Sequence, residues 1–267
     1  MAKYVFDHWS SFEKFKNDAA TAIITDIDGT ISVIAPTPQA AQVSQPMRLE
    51  LEKLKKKYDL VVVLSGRSVE DARQMVGVEG ILYIGNHGLE FMKNGKRYVD
   101  PGVEIYLSMI REALNTVKEN PSCNIEGILR EDKGISFSVH YRLCKDPEDV
   151  RKSILGVLEN RGISKDLKIT EGKKVIEIRP PKGFNKGQII EKLINEHYIK
   201  KVVYLGDDIT DTNAFFELRE LEKKNNIQGA SILIVSNEIG EDVKKSAQYY
   251  LNSVAEVQNF FQWLSED

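Results

Sequence analysis

The chain is poor in the residues that build stapled or metal-thiolate folds, with two cysteines, Cys123 and Cys144, and four scattered histidines in 267 residues. No Cys-x-x-Cys pair occurs, so neither a disulfide framework nor a zinc site has support. An excess of one charge is also missing, since 37 Lys and Arg stand against 40 Asp and Glu for a net charge of -3. That balance argues against nucleic acid or an anionic membrane as partner, and any bound anion has to be captured locally. Long apolar runs are absent. Leu60 to Leu64 is among the longest, far short of the roughly 20 residues of a membrane-spanning helix. Met1 to Phe15 contains Asp7 and Glu13 and no signal-peptide core. These absences make the cytoplasm the expected address, and the chain is expected to be a monomer whose partner is a small molecule.

What is present suffices for a sizeable core: 42% of residues are hydrophobic and 29% charged, the balance of an ordinary folded protein rather than a disordered one. The length predicts one large domain or two unequal ones. Aliphatic runs at Thr21 to Thr25, Leu60 to Leu64, Ile81 to Ile84, Val202 to Leu205 and Ser231 to Val235 alternate with helical patterns. Continuous apolar runs of this kind predict parallel strands buried on both faces. Met47, Leu51, Leu54 and Tyr58 recur at helical spacing, Ser68 and Asp71 suggest a capped helix start, and Ile190, Leu193 and His197 form a third stripe. The fold class expected is α/β, a doubly wound, mostly parallel Rossmann-like sheet.

Between Pro101-Gly102 and Pro180-Pro181-Lys182-Gly183 the rhythm becomes helix-strand-strand, twice. Proline and glycine suit crossings between domains. The expected organisation is a core of residues 1–101 and 181–267 with an inserted α+β domain of residues 102–180. Within the insert, Ile135 to Arg142 alternates strictly, with Ser136, Ser138, His140 and Arg142 predicted on a free polar face. Phe6, Trp9, Phe12 and Phe15 recur at helical spacing and are expected to dock on the core, and Phe215 and Phe216 are read as core aromatics.

The first strand ends in Asp26-Ile27-Asp28-Gly29-Thr30. The two-residue period of an extended chain turns both carboxylates to one side. Ser65-Gly66 follows the second strand, and Asp207 and Asp208 follow Val202 to Leu205. The carboxyl ends of parallel strands line one crevice, so these positions should converge. Two carboxylates about 4 Å apart repel by roughly 4 kcal/mol at an effective dielectric of 20, so such a cluster calls for a cation. The candidate ligands are all oxygens, which selects a hard ion, Mg²⁺. Lys186 and the Ser65 hydroxyl would add a charge and a donor for phosphate oxygens, and Gly29 and Gly66 allow close backbone approach.

The ordered set Asp26-Ile-Asp28-Gly-Thr30, Ser65-Gly-Arg67, Lys186 and Gly206-Asp207-Asp208-Ile-Thr-Asp211 resembles the four motifs of the haloacid dehalogenase superfamily. The resemblance implies that Asp26 is a nucleophile forming an aspartyl phosphate and that Asp28 shuttles the proton. It implies phosphate binding by Thr30, Ser65, Gly66, Arg67 and Lys186. It places Mg²⁺ on Asp26, the Asp28 carbonyl, Asp207 and Asp208, with Asp211 orienting behind them. Gly85-Asn86-His87-Gly88-Leu89-Glu90, Glu131-Asp132-Lys133-Gly134, His140-Tyr141-Arg142 and Glu177-Ile178-Arg179-Pro180 are similar to segments of trehalose-6-phosphate phosphatases, over about residues 20–216. By that resemblance Glu131, Lys133 and Glu177 contact the sugar, with His87, Gly88 and Arg142 as further candidates. Glu177 lies between Ile176 and Ile178, so its carboxylate needs a cation or a ligand. Thr212-Asn213 stands where such relatives usually carry a Glu, which bears on metal affinity. The expected activity is Mg²⁺-dependent hydrolysis of a sugar phosphate, trehalose 6-phosphate first. Glucosyl- or mannosyl-phosphoglycerate phosphatases, a phosphosugar mutase and a non-catalytic sugar-phosphate-binding module are the alternatives.

Overall fold

A computed structural model describes residues 2–181, 185–225, 227–236, 243 and 245–266. Lys182 and Gly183 of the expected crossing lie outside them. The chain divides into two compact units, one of Met1–Ile34, Ala41–Tyr98 and Phe184–Asp267, the other of Ala35–Ala40 and Val99–Gly183.

The first unit is built on a nine-stranded sheet in the order β1 (Lys3–Tyr4), β13 (Tyr249–Leu251), β12 (Gln228–Ile234), β11 (Lys201–Gly206), β2 (Thr21–Thr25), β3 (Leu60–Leu64), β4 (Leu82–Gly85), β5 (Glu90–Lys93) and β6 (Lys96–Val99). The pairs from β1 to β4 are parallel, and β5 returns antiparallel to β4. Every residue of β2 is buried. Ala22 and Ile24 pack with Ile189, Ile190, Leu193, Phe215 and Leu218 of the helices Lys186–His197 and Ile209–Asn225. The helices Gln45–Lys57 and Val254–Ser265 pair elsewhere in the unit. Each buried Ile, Leu or Phe contributes about 1.5–3 kcal/mol by leaving water, which makes the central strands the rigid part of the unit. The chain winds outward in both directions from β2 and β11, so the switch point of the sheet lies between them. This is the α/β, mostly parallel arrangement the aliphatic runs predict.

Local differences from the sequence expectation have physical causes. His197 is exposed, because the buried stripe of its helix runs through Ile189, Ile190, Leu193 and Ile194 instead. Phe215 is core, but Phe216, one residue round the helix, is 61% exposed. The N-terminal aromatics do not form one helix. They occupy short 3-10 turns and a four-residue helix, Glu13–Lys16. Trp9 stacks on Phe260 and packs at a tilt against Trp263, while Phe12 and Phe15 are buried.

The second unit carries a four-stranded antiparallel sheet, in the order β7 (Leu129–Asp132), β8 (Phe137–His140), β10 (Val175–Arg179) and β9 (Lys168–Gly172). Helices Leu107–Glu119 and Pro147–Asn160 supply Ile110, Val117, Ile154 and Leu158 to a core with Phe137, Val139, Ile176 and Ile178. The opposite face is not free, as Ser136 and Ser138 are both 1% exposed. An ion pair from Lys133, just beyond β7, to Glu177 of β10 spans the intervening strand β8, with Nζ–Oε1 of 2.8 Å.

Candidate active site

Asp26 leaves the carboxyl end of β2, and Asp207 that of β11, on either side of the switch point. Gly29, at φ +80°, turns the chain sharply, and any Cβ there would fall 1.8 Å from Asp207 Oδ2. The glycine thus lets two acidic loops approach each other. Carboxylate oxygens of Asp26, Asp207 and Asp211 lie within 4.8 Å of one another, and all three residues are buried.

Lys186 opens its helix just after a capping box in which Asn185 Oδ1 accepts from Gln188 N and Gln188 Oε1 accepts from Asn185 N. Its buried ammonium donates to Asp211 Oδ1 at 2.6 Å and lies 3.1 Å from Asp26 Oδ2. Burial works against the charged ammonium, but Asp211 and then Asp26 outweigh it and hold Lys186 protonated far above neutrality. Asp211 is heavily occupied. Besides Lys186 it accepts from the Tyr204 hydroxyl at 2.5 Å and from the backbone N–H groups of Asp207 and Asp208 at 3.0 and 2.9 Å.

Three carboxylates therefore cluster together, two of them against one ammonium. Burial pushes the Asp26 carboxyl well above the usual range; Lys186 opposes this, while Asp211, Asp207 and Asp28 add to it. An all-oxygen cluster of three buried acids, two of them against the one lysine seen there among the described residues, fits a divalent cation with oxygen preference. The structure does not bring Asp208 into this group. Its carboxylate accepts from Ile209 N at 2.6 Å, at the start of the helix Ile209–Asn225. Thr212 Oγ1 donates to the Ile209 carbonyl of the same turn.

Asp28 and Arg67 form a second cluster. Arg67 Nε and Nη2 donate to the two Asp28 oxygens at 2.6 and 2.7 Å, and Nη1 donates to Asp71 at 2.6 Å. The guanidinium, assigned to phosphate by resemblance, is thus turned onto two carboxylates. Its protonation is raised further by Asp28 and Asp71 against the opposing effect of burial. Asp71 does not close a capping box. Ser68 Oγ accepts from Asp71 N, but the acid is drawn to Arg67.

Ser65 is buried, with its hydroxyl accepting from Arg67 N at 3.2 Å and its carbonyl accepting from His87 N at 3.2 Å. The His87 imidazole lies over Gly66, where an added Cβ would come 2.8 Å from Nε2. Asn86 and His87 both adopt left-handed backbone, at φ +47° and +53°. That turn, ending at Gly88, is held by Asn86 N donating to the Arg67 carbonyl at 2.7 Å and by Asn86 Nδ2 donating to buried Glu90 at 2.5 Å. Thr30 is fully buried, and its hydroxyl has no hydrogen-bond partner among the described residues.

In the second unit, Glu131 meets His140 Nε2 at 3.0 Å and Lys133 meets Glu177. Arg142 donates to the Lys173 carbonyl at 3.0 Å, tying its segment to the turn between β9 and β10.

Residues 24–255 match the trehalose-phosphatase family. The chain belongs to this family. It is 31% identical over 252 residues to a trehalose-phosphate phosphatase of Mycobacterium avium, covering 92% of this chain and 62% of that protein. It is 32% identical over 259 residues to a probable trehalose-phosphate phosphatase D of Arabidopsis thaliana, covering 90% of this chain and 66% of the relative. The chain thus spans about three fifths of the length of such curated relatives. Among solved structures, the C-terminal domain of a trehalose-6-phosphate phosphatase from C. albicans matches with a TM-score of 0.82 at 21% identity, covering 99% of this chain and 98% of that one. A haloacid dehalogenase-like hydrolase from Bacteroides thetaiotaomicron matches at 0.63 and 14% identity, covering 91% and 99%. At these identities the likeness establishes a shared fold. No helix among the described residues is long and apolar enough to cross a membrane.

The convergence of Asp26, Lys186, Asp207 and Asp211 involves residues legible from their motifs. Asp71 and Tyr204, which bind Arg67 and Asp211, lie outside those motifs, and Glu90 closes the segment 85–90 without being singled out there. Tyr204 has a signal in hindsight, as the one hydroxyl in the run Val202 to Leu205.

Proposed function

We propose that this trehalose-phosphatase family member hydrolyses trehalose 6-phosphate to trehalose and inorganic phosphate, in the cytoplasm, through a phosphoryl group carried on Asp26. The observation that carries this reading is the buried Asp26 carboxylate 3.1 Å from Lys186 Nζ, inside a cluster of three buried acids.

Asp26 supplies an oxygen that forms a bond to phosphorus as the bond from phosphorus to the sugar oxygen breaks. Lys186 holds positive charge beside that oxygen and beside the incoming phosphoryl group, preorganised by Asp211. Ser65 and the backbone around Gly66 offer donors to the phosphoryl oxygens. Asp28 gives the departing sugar oxygen its proton, then takes one from the water that releases phosphate from Asp26, so protons balance over the cycle. With both its oxygens accepting from Arg67, Asp28 has to leave the guanidinium to do this. Asp26, Asp207 and the Asp28 carbonyl would hold Mg²⁺, which when bound supplies charge neutralisation for the phosphoryl group. Asp211 is read as the anchor of Lys186. Glu131, Lys133 and Glu177 are read as partners for sugar hydroxyls, with His87, Gly88 and Arg142 in supporting places. A site that hydrogen-bonds paired hydroxyls rejects analogues lacking them, because its own polar groups would go unpaired.

A panel of trehalose 6-phosphate, sucrose 6-phosphate, glucose 6-phosphate, glucosyl-3-phosphoglycerate and mannosyl-3-phosphoglycerate, assayed for phosphate release with Mg²⁺, tests the proposal. Free trehalose released at the highest kcat/KM is the expected result. A faster phosphoglycerate ester reassigns the substrate. Isomerised sugar phosphate without phosphate release indicates a mutase, and binding without turnover a sensing module.

A further inference from the structure

The sheet of the second unit carries a charge that its surroundings do not answer. Arg179 ends β10 two residues beyond Glu177, so the period of the strand sets both on the same face. Across the ladder it is in register with Lys168 of β9. The Arg179 side chain is buried, at 6% exposure for the residue, yet neither Nε nor Nη1 has a hydrogen-bond partner among the described residues. The nearby acid on that face, Glu177, is bound to Lys133 at 2.8 Å. Lys168 brings a second cation, and no carboxylate forms an ion pair with either residue among the described ones.

A guanidinium serving only the fold finds carbonyls or carboxylates. Other arginines of this unit do: Arg142 donates to the Lys173 carbonyl and Arg151 to Glu171, and Arg130, although its Nε is unpaired, donates through Nη2 to the Cys123 carbonyl. Arg179 leaves Nε and Nη1 without such a partner among the described residues, although burying polar groups of a charge unpaired is among the costliest arrangements a fold can hold. Burial pulls the Arg179 guanidinium below its usual range with Glu177 only partly opposing, and Arg179 followed by burial pulls the Lys168 ammonium down. A buried guanidinium that also weighs on the lysine beside it is stabilised by an anion placed against both.

We propose that Arg179, with Lys168 beside it, forms an oxyanion-binding subsite on the polar face of the second unit's sheet, taking a phosphate-class group. The planar fork of a guanidinium matches two oxygens of one tetrahedral anion, and the lysine adds a point charge. A neutral sugar would satisfy the donors but leave both charges uncompensated. The anion has two possible sources, inorganic phosphate or the phosphoryl group of a second sugar phosphate molecule, since the ester being cleaved is assigned to Asp26. Only the second rests on the function proposed above.

The test uses the full chain with Asp26→Asn, so that ligand is not consumed. Calorimetric titration with inorganic phosphate, trehalose 6-phosphate and trehalose compares it with the same chain carrying Arg179→Gln or Arg179→Lys. Losing a charge-assisted bidentate contact is expected to weaken anion binding about tenfold or more, with partial recovery in Arg179→Lys and trehalose affinity unchanged. A phosphate equivalent lost from the inorganic titration identifies a free anion. Weakening of trehalose 6-phosphate alone identifies a substrate-borne group. If both anions bind Arg179→Gln within twofold of its parent, the proposal is wrong. Should that variant fail to fold, Lys168→Gln at an exposed position decides: anion binding at least about threefold weaker at low salt is expected, and no change overturns the proposal. Inorganic phosphate binding does not depend on which sugar ester is cleaved, so failure of the trehalose assignment leaves this result readable.

Discussion

Both carboxylate oxygens of Asp28 are held by the guanidinium of Arg67, at 2.6 and 2.7 Å. A carboxylate in this grip is an acceptor at both oxygens, so a role in proton delivery requires the pair to open. Arg67 does not become uncompensated when it does, because Asp71 remains on Nη1 at 2.6 Å. Asp71 therefore serves as the standing counter-charge that lets Asp28 come and go. Asp28→Asn is expected to lower the rate of phosphate release by at least about a hundredfold, the usual contribution of a general acid. The cost in stability is expected to be about 1–2 kcal/mol, below that of a fully buried pair, because the Asp28 side chain is 39% exposed. Turnover within threefold of the parent chain would remove Asp28 from the mechanism.

Lys186 depends on Asp211 in a different way. Asp211 is completely buried and accepts from Lys186, Tyr204 and two backbone N–H groups. Asp211→Asn takes the charge from under a buried ammonium, and about 3–5 kcal/mol of stability should go with it, read from urea denaturation. Tyr204→Phe removes one hydrogen bond to that carboxylate and leaves the lysine contact, so about 1.5–3 kcal/mol is expected with turnover largely kept. Equal losses of activity in the two variants would contradict the view that Asp211 acts through Lys186.

The acid cluster predicts different fates for two adjacent residues. Asp207 Oδ2 lies where a Cβ on Gly29 would sit, and its carboxylate belongs to the group with Asp26 and Asp211. Asp208 is turned away onto Ile209 N. Chelation with EDTA is expected to abolish phosphate release, and Mg²⁺ to restore it. Asp207→Asn should raise the Mg²⁺ concentration for half-maximal rate by at least about tenfold, in line with loss of a metal ligand or its support. Asp208→Asn should shift it less than threefold. An equal shift in both would return Asp208 to the metal.

The sequence is most readable where backbone geometry does the placing. Asp26, Asp207 and Lys186 are brought together by the carboxyl ends of β2 and β11 and the start of one helix, and short aliphatic runs with flanking Gly and Asp suffice to find those ends. It is least readable where a long side chain chooses among partners. Nothing in the order Ser65-Gly66-Arg67 says whether the guanidinium faces a phosphate or Asp28. Alternation correctly divides the faces of Ile135 to Arg142, but cannot show that a Lys133–Glu177 pair spans the strand between them and leaves Ser138 buried. Helical spacing in the N-terminal aromatics reports their burial rather than a helix, since 3-10 turns place every third residue on one side as well.

Glu90 gives the last prediction. It is 1% exposed and gathers Val69 N at 2.9 Å, Asn86 Nδ2 at 2.5 Å and Arg97 Nε at 2.7 Å. Three separate segments thus end on one carboxylate: the start of the helix Val69–Val76, the left-handed turn of Asn86 and His87, and the edge strand β6. Left-handed backbone at two successive non-glycine residues costs of order 1–3 kcal/mol each and persists only where the surroundings fix it. Here Glu90 from below and the carbonyls of Arg67 and Ser65 from the side do so, setting the imidazole over Gly66. Glu90→Gln keeps the shape but loses the charge facing Arg97 and turns an amide N–H₂ toward existing donors. It is expected to cost about 2–4 kcal/mol in stability. If the turn exists to present His87 to the sugar, Glu90→Gln and His87→Ala should both raise KM for trehalose 6-phosphate about tenfold while kcat stays within threefold, and Glu90→Asp should recover part of the loss. Reduced stability in Glu90→Gln with KM unchanged would make Glu90 a brace for the fold alone.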